Sequence, residues 1–131
     1  MNREKNLVIG GKTFKSRLII GTGKYTSYSI NKKALEASGA EIITVAMRRV
    51  NIKNKNEPRL IDYINPKKYT FMPNTAGCFN SKDALRTLNL ARDIGGWNMV
   101  KLEVLSEKKT LYPDMVETLK TAEKLISNNF K

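Results

Sequence analysis

The sequence predicts an α/β fold of strand-helix (βα) units behind a short N-terminal β-hairpin. Short strand-like apolar runs alternate with amphipathic stretches, and this rhythm recurs four times. Glycine, proline or asparagine punctuates each change of period. The chain has 131 residues, 40% of them apolar, which fits one domain over residues 1–131 with a modest core.

The hairpin is expected from Leu7 to Ile9 and Lys12 to Phe14, turned by Gly10-Gly11, a dipeptide that accepts positive φ. Unit one pairs the strand R17-L-I-I-G-T-G23 with a helix from about Thr26 whose inward face is Ile30, Ala34 and Ala37, stopped by Gly39. Unit two is E41-I-I-T-V-A46, a basic loop, and a short helix after Pro58 carrying Leu60, Ile61 and Ile64. Unit three is Y69-T-F-M72, the loop PNTAGC from Pro73 to Cys78, and a helix capped by Asn80 with Asp83 three residues on. It turns Ala84, Leu85, Leu88 and Ala91 inward and ends at Gly95-Gly96. Unit four is N98-M-V-K-L-E-V-L105, a loop closing on Pro113, and a helix from Asp114 with Val116, Leu119, Ala122, Leu125 and Ile126 inward.

Such a rhythm implies parallel pairing through right-handed crossovers, with helices covering the sheet. An open doubly wound sheet and part of a (βα) TIM-type barrel both fit. A complete barrel needs eight units in roughly 250 residues. Four units make half of one, leaving the first and fourth strands as unpaired edges.

Composition removes several classes of chemistry. There is one cysteine and no histidine, so neither a disulfide framework, a zinc-ligand spacing nor a Ser-His-Asp triad is available, and neither metal nor cofactor is expected. The N-terminus carries no apolar signal region and no run is long enough to span a membrane, so a cytoplasmic location is expected. The net charge of +12 lies mostly in residues 1–70, with fifteen Lys and Arg against five acids, scattered singly and in pairs. No aromatic-interleaved basic patch accompanies it, so a solvated surface is favoured over nucleic acid.

Several short motifs have competing readings. G10-G-K-T13 resembles the end of a P-loop, yet it lacks the first glycine and the strand-to-helix context, and is read as the hairpin turn. G21-T-G-K-Y25, with Gly23 at its centre, either makes a tight packing turn or lines a site with its amides. Arg48 and Arg49 follow the second strand, where they are either solvated or bind a phosphate or a partner. Asn74 and Thr75 occupy the equivalent loop after strand three and are candidate binding residues. Cys78 beside them, without an activating partner, is read as a small buried residue.

The strongest chemical signal is in unit four. Side chains alternate with period two, so Val100, Leu102 and Val104 share one face and Met99, Lys101, Glu103 and Leu105 the other. In a parallel strand both faces are covered, which turns Lys101 and Glu103 toward the interior, near the carboxyl end where such folds place their chemistry. A lysine that loses hydration keeps more neutral amine, the form that attacks a carbonyl to make an imine. A neighbouring carboxyl group can shuttle protons in later steps. A structural ion pair is the alternative.

With G21-T-G-K-Y25, A37-S-G-A-E-I-I-T-V-A-M-R-R-V-N51, PNTAGC, V100-K-L-E-V104 and the run PDMVETLKTAEKL from Pro113 to Leu125 in this order, the chain from about Gly10 onward resembles the thiazole synthase of bacterial thiamine biosynthesis. Met115 stands where that family commonly has proline. The resemblance implies a (βα) barrel that builds thiazole phosphate from deoxyxylulose 5-phosphate, dehydroglycine and sulfur from the thiocarboxylate of a ubiquitin-like carrier protein. It also implies that Lys101 forms the imine with the ketose and that Glu103 transfers protons. The family's barrel continues for about four further units carrying its phosphate loops. The expectation is therefore a truncated or split N-terminal half, inactive alone, completed by a separate C-terminal half or by self-association. The rivals are a non-catalytic half-barrel that pairs with another chain, and a basic protein that binds polyanions.

Overall fold

The computed structural model describes residues 6–49, 51 and 54–131. Among the described residues, five strands and four helices follow in the order β1 (Leu7–Ile9), β2 (Lys12–Phe14), β3 (Ile19–Gly21), α1 (Tyr28–Ser38), β4 (Ile42–Ala46), α2 (Leu60–Tyr63), β5 (Thr70–Asn74), α3 (Ser81–Gly95) and α4 (Met115–Ser127). β1 and β2 form the antiparallel hairpin, and Gly10 and Gly11 both adopt positive φ, 59° and 79°, as its two-residue turn requires. The other three strands form one sheet in the order β3-β4-β5, and β3 runs parallel to β4 with Ile19 opposite Ile42. The fold is mixed α/β with a parallel sheet. The chain divides into two compact units, one of Met1–Thr44 with Asn51–Phe71, the other of Val45–Val50 with Met72–Lys131.

In the first unit, Ser27 caps α1 by accepting the Ile30 N–H, and Gly39 ends it at φ 66°. The buried face differs from the one the apolar spacing suggests. Asn31 and Leu35 are buried while Ile30 and Ala37 are exposed, a rotation of about one residue. The cause is a polar anchor: the Asn31 amide donates to the carbonyl of Gly21, the last residue of β3, at 3.2 Å. Hydrophobic periodicity is blind to a buried asparagine that serves a strand end. α2 shows the opposite case, burying Leu60 and leaving Ile64 buried just beyond it, as the spacing indicates.

In the second unit, Asn80 caps α3 by accepting the Asp83 N–H at 2.8 Å, and Ala84, Leu88 and Ala91 are buried. Residues 98–105 do not form a regular strand. They make an isolated parallel bridge from Asn74 to Lys101 and an antiparallel one from Leu105 to Pro113. Their aliphatic face nevertheless packs as expected. Val104 joins Cys78 and Ala84, while Val100 and Leu102 lie against Leu88, Leu125 and Phe130. Fully burying one such side chain contributes about 1.5–3 kcal/mol.

Helix α4 departs further from expectation. Its buried residues are Thr121 and Leu125, whereas Val116 and Leu119 are each 63% exposed and Ile126 is 71% exposed. Thr121 can be buried because its hydroxyl donates to the Glu117 carbonyl within the helix. The helix thus has a packed face and a separate apolar face that nothing among the described residues covers. It ends in a Schellman arrangement: Asn129 is left-handed at φ 62°, its N–H bonds to the Ile126 carbonyl, and the Phe130 N–H bonds to the Leu125 carbonyl.

Two measurements check this account. Asp114→Ala removes the α4 cap, whose carboxylate accepts the Glu117 N–H at 2.9 Å, and should lower unfolding stability by about 1 kcal/mol in denaturant titration. Glu107, in the loop before Pro113, is held below its ordinary value of 4.5 by the backbone N–H of Lys109 and then by the N–H and hydroxyl of Thr110. A depressed folded-state value means that this contribution is present above pH 4.5 and is lost as pH falls through the lower folded value. The Lys109 and Thr110 amide resonances should therefore titrate below pH 4.5.

Candidate active site

The second unit gathers Arg48, Arg49, Asn74, Thr75, Lys101 and Glu103. Arg48 and Arg49 leave the carboxyl end of β4, Asn74 ends β5, and Lys101 sits beside it through the parallel bridge. Gly23 belongs to the first unit. There it is exposed, and the left-handed residue of its loop is Lys24 at φ 66° rather than a glycine. The nearby pocket of about 390 Å³ is lined by Thr22, Tyr25, Tyr28 and Tyr63 among others, and not by Gly23.

β5 positions Lys101 through its backbone. The Lys101 N–H donates to the Pro73 carbonyl at 2.9 Å, and the Thr75 N–H donates to the Lys101 carbonyl at 3.3 Å. A regular parallel ladder would extend one step in each direction. Upstream it stops because Pro73 has no N–H to offer to Met99. Downstream the Thr75 carbonyl is turned away to accept the Cys78 N–H at 3.0 Å. The Thr75 hydroxyl takes over: it accepts the Glu103 N–H at 2.8 Å and donates to the Glu103 carbonyl at 2.7 Å. This is why a sequence that reads as a strand is irregular here, yet held.

Several candidate binding residues are therefore already occupied. Thr75 is fully buried, with its hydroxyl committed to Glu103. Asn74 is buried, and its side-chain carbonyl accepts the Ala76 N–H at 3.1 Å, bending the chain into the loop. Arg48 donates from Nη1 to the Gly77 carbonyl at 2.5 Å, bracing the same loop, where Gly77 has φ 81°. Sequence reading passed over Gly77; a glycine in a loop that follows a strand was the signal. Cys78 is fully buried, with Sγ 3.7 Å from the Thr87 hydroxyl. Arg49 stays exposed.

Lys101 and Glu103 lie on one face, as alternation requires, but that face is not an interior here. Lys101 is exposed and Glu103 half-buried. Among the described residues neither enters an ion pair; the pairs present are Arg59–Asp62, Arg86–Asp83 and Lys120–Glu117. The face is covered at its two ends, where Met99 and Leu105 are buried, while Lys101 between them is exposed. What remains is an uncommitted amine two residues from an uncommitted carboxylate, both on a backbone pinned by Thr75. Such a pair can attack a carbonyl and then move protons at the adduct.

Comparison with known proteins bears on this arrangement. The family model "Thiazole biosynthesis protein ThiG" matches residues 8–131. The chain belongs to this family. It is 67% identical over 127 residues to the thiazole synthase of Maricaulis maris, covering 97% of this chain and 48% of that protein. The thiazole synthases of Pelagibacter ubique and Zymomonas mobilis are 63% and 62% identical, with 49% and 48% of their lengths covered. The ThiG-family chain thus spans about half the length of the curated relatives it matches. Among solved structures, the BexX/CysO complex of Amycolatopsis orientalis aligns with a TM-score of 0.75 at 23% identity, over 98% of this chain and 52% of that one. That likeness concerns the fold. No helix among the described residues is long and apolar enough to cross a membrane.

Thr75→Val, which keeps the shape and deletes the hydroxyl, should leave both Glu103 backbone groups without a partner and cost about 1–3 kcal/mol. Thr75→Ser should recover most of it. Denaturant unfolding reads the energy, and faster exchange of the Glu103 amide locates it.

Proposed function

We propose that this chain is the imine-forming half of a thiazole synthase, one domain over residues 1–131 that makes up about four units of a (βα) barrel. Parallel strands joined through helices, and relatives twice as long, support the barrel reading. The observation that carries the chemistry is Lys101: an exposed amine, unpaired among the described residues, beside Asn74 at the carboxyl end of β5 and registered against β5 by the Pro73 and Thr75 backbone.

In this reading the neutral Lys101 amine attacks the C2 ketone of deoxyxylulose 5-phosphate, and loss of water leaves an imine. The imine acidifies the neighbouring carbon, and Glu103 takes and returns protons there. Covalent capture also removes the cost of bringing the ketose back at each later step. Sulfur then arrives from the thiocarboxylate of a ubiquitin-like carrier protein, and dehydroglycine supplies the remaining ring atoms. A protein partner is in keeping with the fold neighbour, which was solved as a complex. Arg48, Arg49, Asn74 and Thr75 enter this chemistry in different capacities, and Gly23, in the first unit, is proposed as a binding residue there. Among the described residues Arg49 is the cation at the end of β4 still free to meet an anion, while Arg48, Asn74 and Thr75 shape the loop that holds Lys101. The reaction takes place in the cytoplasm and needs no cofactor.

The test is borohydride trapping. With deoxyxylulose 5-phosphate and the C-terminal half of the Maricaulis maris relative present, intact-mass analysis should find a reduced adduct mapping to Lys101. Lys101→Arg should abolish it, and Glu103→Gln should keep the adduct but slow turnover by about 10²-fold or more. No adduct with the complemented protein would sink the assignment.

A further inference from the structure

The first unit holds a cavity that the chemistry at Lys101 does not use. It measures about 390 Å³ and lies where the chain leaves β3 for α1, at the carboxyl end of a parallel strand, the end at which α/β sheets place ligands. Among the described residues no charged side chain lines it, although the chain carries a net charge of +12. Its walls are Tyr25, Tyr28, Tyr63 and Pro58, and Thr22 and Thr26 add hydroxyls between them.

The walls are held by the protein's own hydrogen bonds. Asn51 ties them together: its N–H donates to the Tyr28 hydroxyl at 3.3 Å, and its side-chain amide donates to the Pro58 carbonyl at 3.2 Å and to the carbonyls of Asn54 and Glu57. Arg59 donates from Nε to Asp62 at 3.1 Å, which fixes the short stretch between Pro58 and Tyr63. Tyr28 and Tyr63 meet at 5.7 Å between ring centroids with their planes 51° apart, so two aromatic rings make a corner. In the turn ahead of Tyr25, Lys24 adopts φ 66°, a left-handed conformation uncommon for a residue with a side chain and found most often where a site needs it. Two lining hydroxyls are committed, since Ser27 caps α1 and Tyr28 accepts from Asn51. Among the described residues those of Thr22, Tyr25, Thr26 and Tyr63 make no hydrogen bond.

We infer that this cavity binds an uncharged aromatic ring with hydrogen-bonding groups at its edge, such as a small heterocycle. The ring packs into the corner of Tyr28 and Tyr63, and the uncommitted hydroxyls meet its polar edge. Sites for small molecules are built in this way, from mostly apolar walls with a few placed polar groups. An ion is disfavoured, because it would lose hydration without gaining an opposite charge from the lining. A puckered ring of the same size is disfavoured because it meets flat walls less closely. The inference goes beyond the imine reading and does not depend on it: the lining belongs to the first unit and Lys101 to the second.

The probe is nicotinamide, titrated into this chain at physiological ionic strength and followed by the ring resonances of Tyr25, Tyr28 and Tyr63. These should shift and saturate together. Nicotinate, the same ring with a carboxylate, and cyclohexanecarboxamide, the same amide on a puckered ring, should each bind at least tenfold more weakly. Tyr63→Ala should weaken nicotinamide binding at least tenfold, whereas Tyr63→Phe, which keeps the ring, should change it less than threefold. Tyr63 is 38% exposed, so the fold should tolerate both; if Tyr63→Ala lowers the melting temperature, Tyr25→Leu replaces it with the same expectation. The inference is overturned if the tyrosine resonances show no saturable shift, if cyclohexanecarboxamide binds as well as nicotinamide, or if removal of the aromatic ring leaves binding unchanged. Tighter binding of nicotinate would assign the cavity to an anion and overturn it equally. No ketose is present, so these outcomes are independent of borohydride trapping.

Discussion

The hydroxyl of Thr75 holds the second unit together where backbone pairing runs out. Its own carbonyl is spent on the turn to Cys78, so the Glu103 N–H would otherwise be left without a protein partner, and so would the Glu103 carbonyl. An unpaired buried backbone group costs about as much as a lost hydrogen bond. By meeting both, Thr75 lets the loop after β5 turn sharply while the neighbouring segment continues straight. The same loop is braced from the other side by Arg48 on Gly77 and tied to Leu105 through the Cys78 carbonyl. The backbone that carries Lys101 and Glu103 is set by hydrogen bonds to their main-chain groups, from Pro73 and Thr75.

That backbone divides the unit into a packed side and an open one. On the packed side Val100, Leu102 and Val104 meet α3 and α4 and supply apolar burial. On the open side stand the amine and carboxylate of the candidate site. At the edge, the Val100 carbonyl and the Leu102 N–H make no hydrogen bond among the described residues, and on α4 Val116, Leu119 and Ile126 stay exposed. Open strand edges and exposed apolar faces are features that folded proteins usually cover. They occur together in a chain that spans about half the length of the curated relatives it matches.

Much of this architecture was legible in the residues. The Gly10-Gly11 turn, the Asn80 and Asp114 caps and the Gly39 and Gly96 stops depend on local backbone preferences, and local rules state them well. The period-two pattern of residues 98–105 likewise put Lys101 and Glu103 on one face. Local rules failed where a polar side chain replaced an apolar one in a buried position. Asn31 turned α1 by bonding to Gly21, and Thr121 turned α4 by satisfying its hydroxyl inside the helix. Neither substitution leaves a mark in a hydrophobic pattern.

The sequence by itself determined the strand-helix order, the family, and the pairing of an amine with a carboxylate two residues apart, because each follows from residue type and spacing along the chain. Only the tertiary structure decided what those residues face. Thr75 and Asn74, which as isolated letters suit ligand binding, are consumed by the backbone around them, and Lys101 is left exposed and, among the described residues, unpaired. The physical reason is that hydrogen-bond partners and burial depend on groups distant in sequence. Thr75 and Glu103 are 28 residues apart, and no local pattern encodes their contact.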